Sequence, residues 1–231
     1  PIGKVEHFIN AINPCNCEVV SLGGYIEQDS SRVFTGKFHG GGHSINNLFV
    51  AYLYPGDESI GFIDSMTNAA VIDSLSFKKY EISGGDNGIR RVGGLVGVNE
   101  GVVKRVNMEV VLDNVYEGAG LVYDNKGVIE NSSVKGTFKG GTLAGVAAMN
   151  DGEIVNVKVN AEWKDSSSFI GGAALVNKGI IKGVSAAIKV NNGYGPLGGI
   201  VALNSVGGRI VDDSAFVDVK EITPKETYYY Q

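Results

Sequence analysis

The sequence has little of several features that mark particular classes of protein. Its 5 prolines in 231 residues argue against a collagen-like chain or a proline-rich linker. It has no run of about 18 apolar residues, so nothing in it predicts a membrane-spanning helix. It also has no basic cluster, and 20 Lys+Arg against 25 Asp+Glu give a net charge of −5, which argues against a nucleic-acid-binding surface.

Cysteine and histidine are also scarce, so few residues could bind a metal or act in nucleophilic catalysis. Cys15 and Cys17 are too close for an easy disulfide and too few for a zinc site, so we expect both to be reduced. His39 and His43 are separated by three glycines rather than by a helical turn, and no third ligand lies near them in sequence. The sequence therefore predicts no metal, no cofactor and no catalytic residue.

Glycine is abundant, at 34 residues or about twice the usual share, and much of it is periodic. A phrase close to Gly-Leu-Val-Gly-Val-Asn recurs about every 26 residues. Each copy has a glycine followed five residues later by an asparagine, and the pairs are Gly94 and Asn99, Gly120 and Asn125, Gly145 and Asn150, Gly172 and Asn177, and Gly199 and Asn204. A fixed period of this length indicates a repeat architecture.

A second, apolar column follows the phrase and defines the fold class. Its leading residues are Ile45, Ile72, Val103, Ile129, Ile154, Ile181 and Ile210. Short apolar runs between Asn, Gly, Asp and Lys corners are typical of strands. Leucine-rich repeats have a similar period but need a helical return segment, and propeller blades are longer. The pattern predicts an all-β, single-stranded parallel β-helix of about seven coils, right-handed by general chirality.

Stacking explains the two columns and predicts one exposed surface. Because coils rise about 4.8 Å each, equivalent side chains lie over one another. Aligned Ile and Val fill the interior, and the asparagine column bonds from coil to coil at a corner, which is a structural role. In the Gly-Leu-Val-Gly strand the residues that alternate towards one face and towards the other are both apolar. We therefore expect the residues with the smaller side chains to form an outer apolar stripe for a partner, namely Val96, Val122, Ala147, Ala174 and Val201.

The ends of the chain differ from the repeat. Residues 4–12 have apolar side chains at helical spacing and predict a short amphipathic helix that caps the open end of the coil stack. The predicted divisions are an N-terminal cap with a first irregular strand (1–33), the β-helix (34–217) and a C-terminal cap or linker (218–231). Because the first residue is Pro1, we expect a processed protein or a piece of a longer one.

Charged residues of the aligned columns are concentrated in one group. Stacking would bring Asp73, Lys104, Arg105 and Glu130 together. Glycan-cleaving enzymes need paired carboxylates, whereas the aligned columns scatter carboxylates singly among amides and lysines. We interpret the group as surface ion pairs, with a carboxylate active site as the alternative.

At the repeat phrase the sequence resembles the GLUG-repeat family, named for a Gly-Leu-any-Gly motif. The similarity is strongest in GGLVGVNEG (93–101) and AGLVYDNKGVIENSSVKG (119–136), and it weakens in later copies. FTGKFHGGGHSINNLFV (34–50) resembles the segment that opens such arrays. The resemblance implies exported bacterial surface proteins, namely adhesins and β-helical regions of immunoglobulin-cleaving metallopeptidases. It implies no catalytic residue within the repeat.

Together these features predict a non-catalytic β-solenoid module of a bacterial cell-surface or secreted protein, with an extracellular or cell-surface location. The module would act as an adhesive or binding surface or as a rigid spacer. Its expected partner is a host protein, a glycan or a neighbouring domain of the same polypeptide, and neither nucleic acid nor membrane insertion is expected. The alternatives are a substrate-positioning region of a secreted protease and a carbohydrate-active β-helix enzyme.

Overall fold

The computed structural model describes residues 33–51, 59–85 and 88–221, which form β-strands and no α-helix. The all-β prediction is therefore confirmed for these residues. The predicted capping helix, the cysteine pair and nearly all of the predicted N-terminal cap lie outside the described residues, as does most of the predicted C-terminal segment.

In chain order the strands are short at first and lengthen towards the middle of the molecule. The first eleven are β1 (Val33–Phe34), β2 (Lys37–His39), β3 (Ser44–Asn46), β4 (Phe49–Ala51), β5 (Ile63–Met66), β6 (Val71–Asp73), β7 (Ser76–Ser83), β8 (Val92–Gly93), β9 (Val96–Asn99), β10 (Val102–Lys104) and β11 (Asn107–Ala119). The others are β12 (Val122–Asn125), β13 (Val128–Glu130), β14 (Ser133–Ala144), β15 (Ala147–Asn150), β16 (Glu153–Val155), β17 (Lys158–Ser167), β18 (Phe169–Gly171), β19 (Ala174–Asn177), β20 (Ile180–Lys182), β21 (Ser185–Gly193), β22 (Leu197–Gly198), β23 (Val201–Asn204), β24 (Arg209–Val211) and β25 (Ser214–Val219).

These strands stack into three parallel sheets, so that each coil contributes one strand or more to every sheet. Sheet 1 has the order β1-β5-β9-β12-β15-β19-β23, and sheet 2 has the order β2-β6-β10-β13-β16-β20-β24. Sheet 3 follows β3-β7-β11-β14-β17-β21-β25, with the short strands β4, β8, β18 and β22 beside this path. Pairing between coils is parallel and in register. The predicted parallel β-solenoid is confirmed.

The number of turns is smaller than predicted. Sheets 1 and 2 have seven strands each, but only the five inner strands have a neighbour on both sides. The solenoid therefore has about five complete turns, with an outer layer at each end. The prediction of about seven coils is too high because a sequence pattern counts every strand segment, including those of the two outer layers.

The first coil is also out of the predicted register. Ile45 pairs with Phe77 in sheet 3, and the residue aligned with Ile72 is Phe38. From Ile72 to Ile210 the predicted column is continuous in sheet 2. The shift comes from the glycine run at 40–42, which makes the corner before β3 longer than the equivalent corner in later coils.

The interior is filled by apolar side chains that stack from coil to coil. The members of the sheet 2 column in the inner coils are fully buried, and these are Ile72, Val103, Ile129, Ile154 and Ile181. The largest side chain, Trp163, packs edge-on against Phe138 with ring centroids 4.9 Å apart. Its indole N–H donates to the carbonyl of Leu143 at 3.2 Å, which satisfies its buried donor.

The anchoring glycine of the repeat is required by close packing between coils. A Cβ on Gly120 would lie 2.6 Å from the carbonyl oxygen of Gly145, and one on Gly172 would lie 1.9 Å from that of Gly199. No side chain fits at these distances, so the glycines allow successive coils to approach at one sharp corner.

The corner between sheets 2 and 3 has a different geometry. From β6 onwards one residue per coil has a left-handed backbone there, with φ between 50° and 65°, and these residues are Ser74, Arg105, Asn131, Asn156, Gly183 and Asp212. Asparagine, aspartate and glycine tolerate this conformation best. Ser74 and Arg105 adopt it less readily, and both take part in the charged cluster described below.

Candidate functional site

The five asparagines of the repeat form one hydrogen-bonded column at the corner between sheets 1 and 2. The side-chain Nδ2 of each donates to Oδ1 of the next, at 2.7 to 2.8 Å, in the order Asn99, Asn125, Asn150, Asn177 and Asn204. The first four are at most 1% exposed. The structure thus brings together all five residues that the sequence singled out, and we call them the asparagine ladder.

The ladder also bonds to the backbone. Nδ2 of Asn125 lies 3.4 Å from the carbonyl oxygen of Gly127, and the same contact recurs at Asn150 and Asn177. Oδ1 of Asn99, at the start of the ladder, accepts a hydrogen bond from the Gly101 N–H at 3.0 Å. Because the buried amides bond to one another and to the corner backbone, the ladder has a structural role.

The predicted exposed apolar stripe is wrong. Four of its members, Val96, Val122, Ala147 and Ala174, are 0% exposed, and Val201 in the last coil is half-buried. The four belong to the main core and Val201 packs against it, so the chain, which reverses sharply just before sheet 1, turns this set inwards. A Cβ on Gly93, at this reversal, would lie 1.9 Å from the carbonyl oxygen of Val96.

A second apolar cluster, separate from the main core, lies at this reversal. It consists of Ala119, Tyr123, Ala144, Ala148 and Leu175. The Tyr123 hydroxyl donates to the Glu117 carboxylate at 2.8 Å. Burial, aided by the Glu117 carboxylate, raises the pKa of Tyr123 well above its ordinary value, so the phenol stays protonated as a fixed donor. This cluster stabilises the turn and was not predicted.

The charged group predicted around Asp73 is present as an ion-pair cluster. Arg105 bonds to the Asp73 carboxylate and donates from Nε to the Ser74 hydroxyl at 3.1 Å. Ser74 in turn donates to Asp73 at 2.9 Å, and His39 Nδ1 lies 3.5 Å from Asp73 Oδ2. Burial alone would raise the pKa of Asp73, but the hydrogen bonds from Ser74 and Arg105 outweigh it and hold that pKa below its ordinary value.

This cluster does not have the geometry of a nucleophilic relay. A Ser-His-Asp arrangement needs the serine bonded to the histidine, whereas Ser74 bonds to the carboxylate of Asp73. Lys104 lies between Asp73 and Glu130 in one column of sheet 2. Their alternation of charge fits the ion-pair interpretation better than a row of carboxylates.

Within the ranges that the structure describes, neither a metal-binding cluster nor a membrane-spanning helix is seen. No group of three or more His, Cys, Asp or Glu side chains there could hold a metal ion. No helix in the same ranges is long and apolar enough to cross a membrane.

The outer face of sheet 3, which we call the long face, carries rows of charged side chains. Glu109, Val111 and Asp113 of β11 are partly exposed, and the residues between them are buried. Ion pairs join neighbouring coils along this face, with Lys135 and Glu109 2.9 Å apart, Lys139 and Asp113 2.9 Å apart, and Lys189 and Glu162 3.2 Å apart. The hydrogen bond from its lysine lowers the pKa of Glu109 and likewise of Glu162, so both are ionised at neutral pH.

A shallow groove of about 550 Å³ follows the long face. Its lining includes the pairs Glu109–Lys135 and Glu162–Lys189, together with Phe216 of the last coil. Phe216 is 71% exposed, and the residue aligned with it on the preceding coil is Ala187. Because alanine is small, the aromatic ring is not covered from that side.

The long face was not among the predicted sites, although a signal for it is present in the sequence. Over 107–113 every second residue is apolar, and the residues between them are polar except Val111, as expected for a strand with one face in water. The meeting of opposite charges depends on the register between coils, which aligns Glu109 with Lys135 and Glu162 with Lys189. Sequence periodicity does not reveal that register.

No family model matches this chain, and neither a curated protein nor a solved structure shows significant similarity to it. The resemblance to GLUG repeats therefore stays a prediction from the repeat phrase.

Proposed function

We propose that this chain is a non-catalytic β-solenoid module of a secreted or cell-surface bacterial protein of the GLUG-repeat type, and that it serves as a rigid spacer. The asparagine ladder is the observation that supports this role most. It joins five successive coils by side-chain hydrogen bonds at one corner, and all but the last of these bonds are buried. A continuous buried network of this kind opposes hinge motion between coils.

The sheets support the same role. All three run through the described coils without a change of strand order, and the main core extends along them from Leu48 to Val190. Each coil then contacts only its neighbours, and the stack behaves as one stiff body whose length grows with coil number. Such a body holds its two ends at a fixed separation.

An adhesive surface is the second candidate, because the long face carries a groove with an exposed aromatic ring. A substrate-positioning region of a secreted protease, or a carbohydrate-active enzyme, would use the same fold differently. Incubating the chain with polysaccharides separates the last alternative, since an enzyme releases products, whereas a spacer or an adhesive surface leaves the polymer intact.

Spin-label distance measurements test the spacer role directly. Labels at Lys78 and Asp218, in a background with Cys15 and Cys17 replaced by serine, lie on coils that are five steps apart in sheet 3. At about 4.8 Å per coil their sites are separated by about 24 Å along the axis. Double electron–electron resonance should give one narrow distance distribution.

The matched control places both labels on one coil, at Glu109 and Asp113 of β11. Their distribution sets the width that comes from the labels alone. A distribution between Lys78 and Asp218 that is several times wider than this control would overturn the spacer role.

A further inference from the structure

The groove on the long face has the features of a binding site for an uncharged polymer. Acidic and basic side chains are nearly balanced in its lining, and each central acid is paired with a lysine from the next coil. A polyanion or a polycation would have to displace these pairs or lie against like charges. The charge pattern therefore favours a neutral ligand.

The backbone of the long face favours a glycan over an extended peptide. Peptides that bind to sheets by strand addition need a free edge. The central strand β11 is paired on both sides, with β7 and with β14, and β17 is likewise paired with β14 and with β21. Recognition along these inner strands must therefore come from side chains, and among the described strands only β25, at the end of the groove, has an unpaired edge there.

The side chains of the groove suit the two surfaces of a sugar ring. Phe216 offers an exposed aromatic face for the apolar side of a sugar. Asn160 and Thr137, on earlier coils, add an amide and a hydroxyl to the groove lining for the ring hydroxyls. Because coils repeat about every 4.8 Å, a linear polymer along the solenoid axis meets one row of side chains per coil.

We propose that this groove binds a neutral linear glycan along the solenoid axis, with Phe216 as the stacking platform at one end. The proposal goes beyond the spacer role and does not rest on it. Loss of glycan binding would leave the distance distribution between Lys78 and Asp218 unchanged.

Calorimetric titration of the whole chain tests the proposal with linear hexasaccharides of defined charge. The neutral probes are cellohexaose, chitohexaose and maltohexaose, and the charged probes of matched length are hexagalacturonate and fully deacetylated chitohexaose. We expect one of the neutral probes to bind more tightly than either charged probe. We also expect its affinity to change little when salt is raised from about 0.1 M to about 1 M, since charge pairing is not the source of binding.

The variant Phe216→Ala should weaken binding of that probe about tenfold, and Phe216→Trp should preserve it. Tyr194→Ala is the matched control, because Tyr194 is an exposed aromatic residue outside the groove lining, and it should bind as the parent does. Circular dichroism verifies that each variant is folded. Binding by none of the neutral probes, preference for a charged probe, or equal affinity in Phe216→Ala would each overturn the proposal.

Discussion

The inner coils and the last coil share the same residue columns but differ in burial. Ile154 and Ile181 are 0% exposed, whereas Ile210, in the same column, is 39% exposed. Asn150 is 1% exposed, whereas Asn204, at the end of the same ladder, is exposed. The residue types are identical, so the difference comes from the number of neighbouring coils. In a solenoid, burial is a property of position in the stack.

The last coil also has a charged residue at a position where the inner coils have an apolar residue or, once, a serine. Asp213 occupies the position of Val184 in the preceding coil, and it accepts hydrogen bonds from the N–H groups of Val184 and Val211. Burial raises the pKa of Asp213 despite these bonds. A charge that points inward at the end of a sheet discourages the addition of another strand.

Replacing one isoleucine of an inner coil and one of the last coil by alanine should give the largest difference in the free energy of unfolding. Ile154→Ala leaves a cavity in a closed core and should lower the free energy of unfolding by about 2–5 kcal/mol. Ile210→Ala removes a side chain that already contacts water and should cost about 1 kcal/mol. Urea unfolding followed by Trp163 fluorescence measures both. Equal losses would mean that the last coil is covered as well as the inner ones.

The asparagine ladder should show the same contrast with smaller effects. Asn150→Ala deprives both Asn125 and Asn177 of a buried partner and should cost about 2–3 kcal/mol. Asn204→Ala deprives Asn177 alone, next to solvent, and should cost about 1 kcal/mol or less. The exposed Asn160→Ala, in β17 and with no left-handed backbone, is the control for loss of an asparagine outside the ladder. If Asn150→Ala behaved like this control, the ladder would not stabilise the corner.

The two perturbed aspartates should respond to pH in opposite directions. The folded pKa of Asp73 is lowered, so its contribution to stability is present above the unfolded pKa and is lost as pH falls through the folded pKa. The folded pKa of Asp213 is raised, so its contribution is present at low pH and is lost as pH rises through the folded pKa.

Urea unfolding at pH values between about 3 and about 7 measures these contributions. Asp73→Asn should be destabilising at neutral pH and should approach the parent in stability at the acidic end. Asp213→Asn should instead gain stability relative to the parent as pH rises. Parallel pH profiles for the two variants would contradict the assigned environments.

The ion pairs of the long face should have the smallest effect. A double-mutant cycle with Glu109→Gln and Lys135→Met should give a coupling energy below about 1 kcal/mol, because both side chains are exposed to water. The coupling should decrease in about 1 M salt. A coupling that is large and independent of salt would show that the pair is shielded from solvent.

Periodicity in the sequence predicts the features that depend on stacking alone. The spacing of the asparagines from Asn99 to Asn204 predicts a column, and in the structure hydrogen bonds join the members of that column from coil to coil. The column from Ile72 to Ile210 is likewise in register. Such features are predictable because equivalent residues in a parallel stack must lie over one another.

Features that depend on the path of the chain within one coil are less predictable. Ile45 matches the column pattern, but the longer glycine corner before it moves Ile45 into sheet 3. Val96 and Val122 alternate with apolar neighbours, as in a strand that is buried on both sides, but only the tertiary structure shows that they face the main core. The groove at Phe216 likewise requires the register of sheet 3.

By itself the sequence determined that this protein is a stack of parallel β coils, because a repeat of glycine, asparagine and β-branched residues can bury its apolar side only against copies of itself. The tertiary structure decided which columns are inside, how many turns are complete, and where opposite charges meet. The reason is that burial and charge pairing depend on distances between coils, and those distances are fixed by corners whose lengths the repeat pattern does not specify.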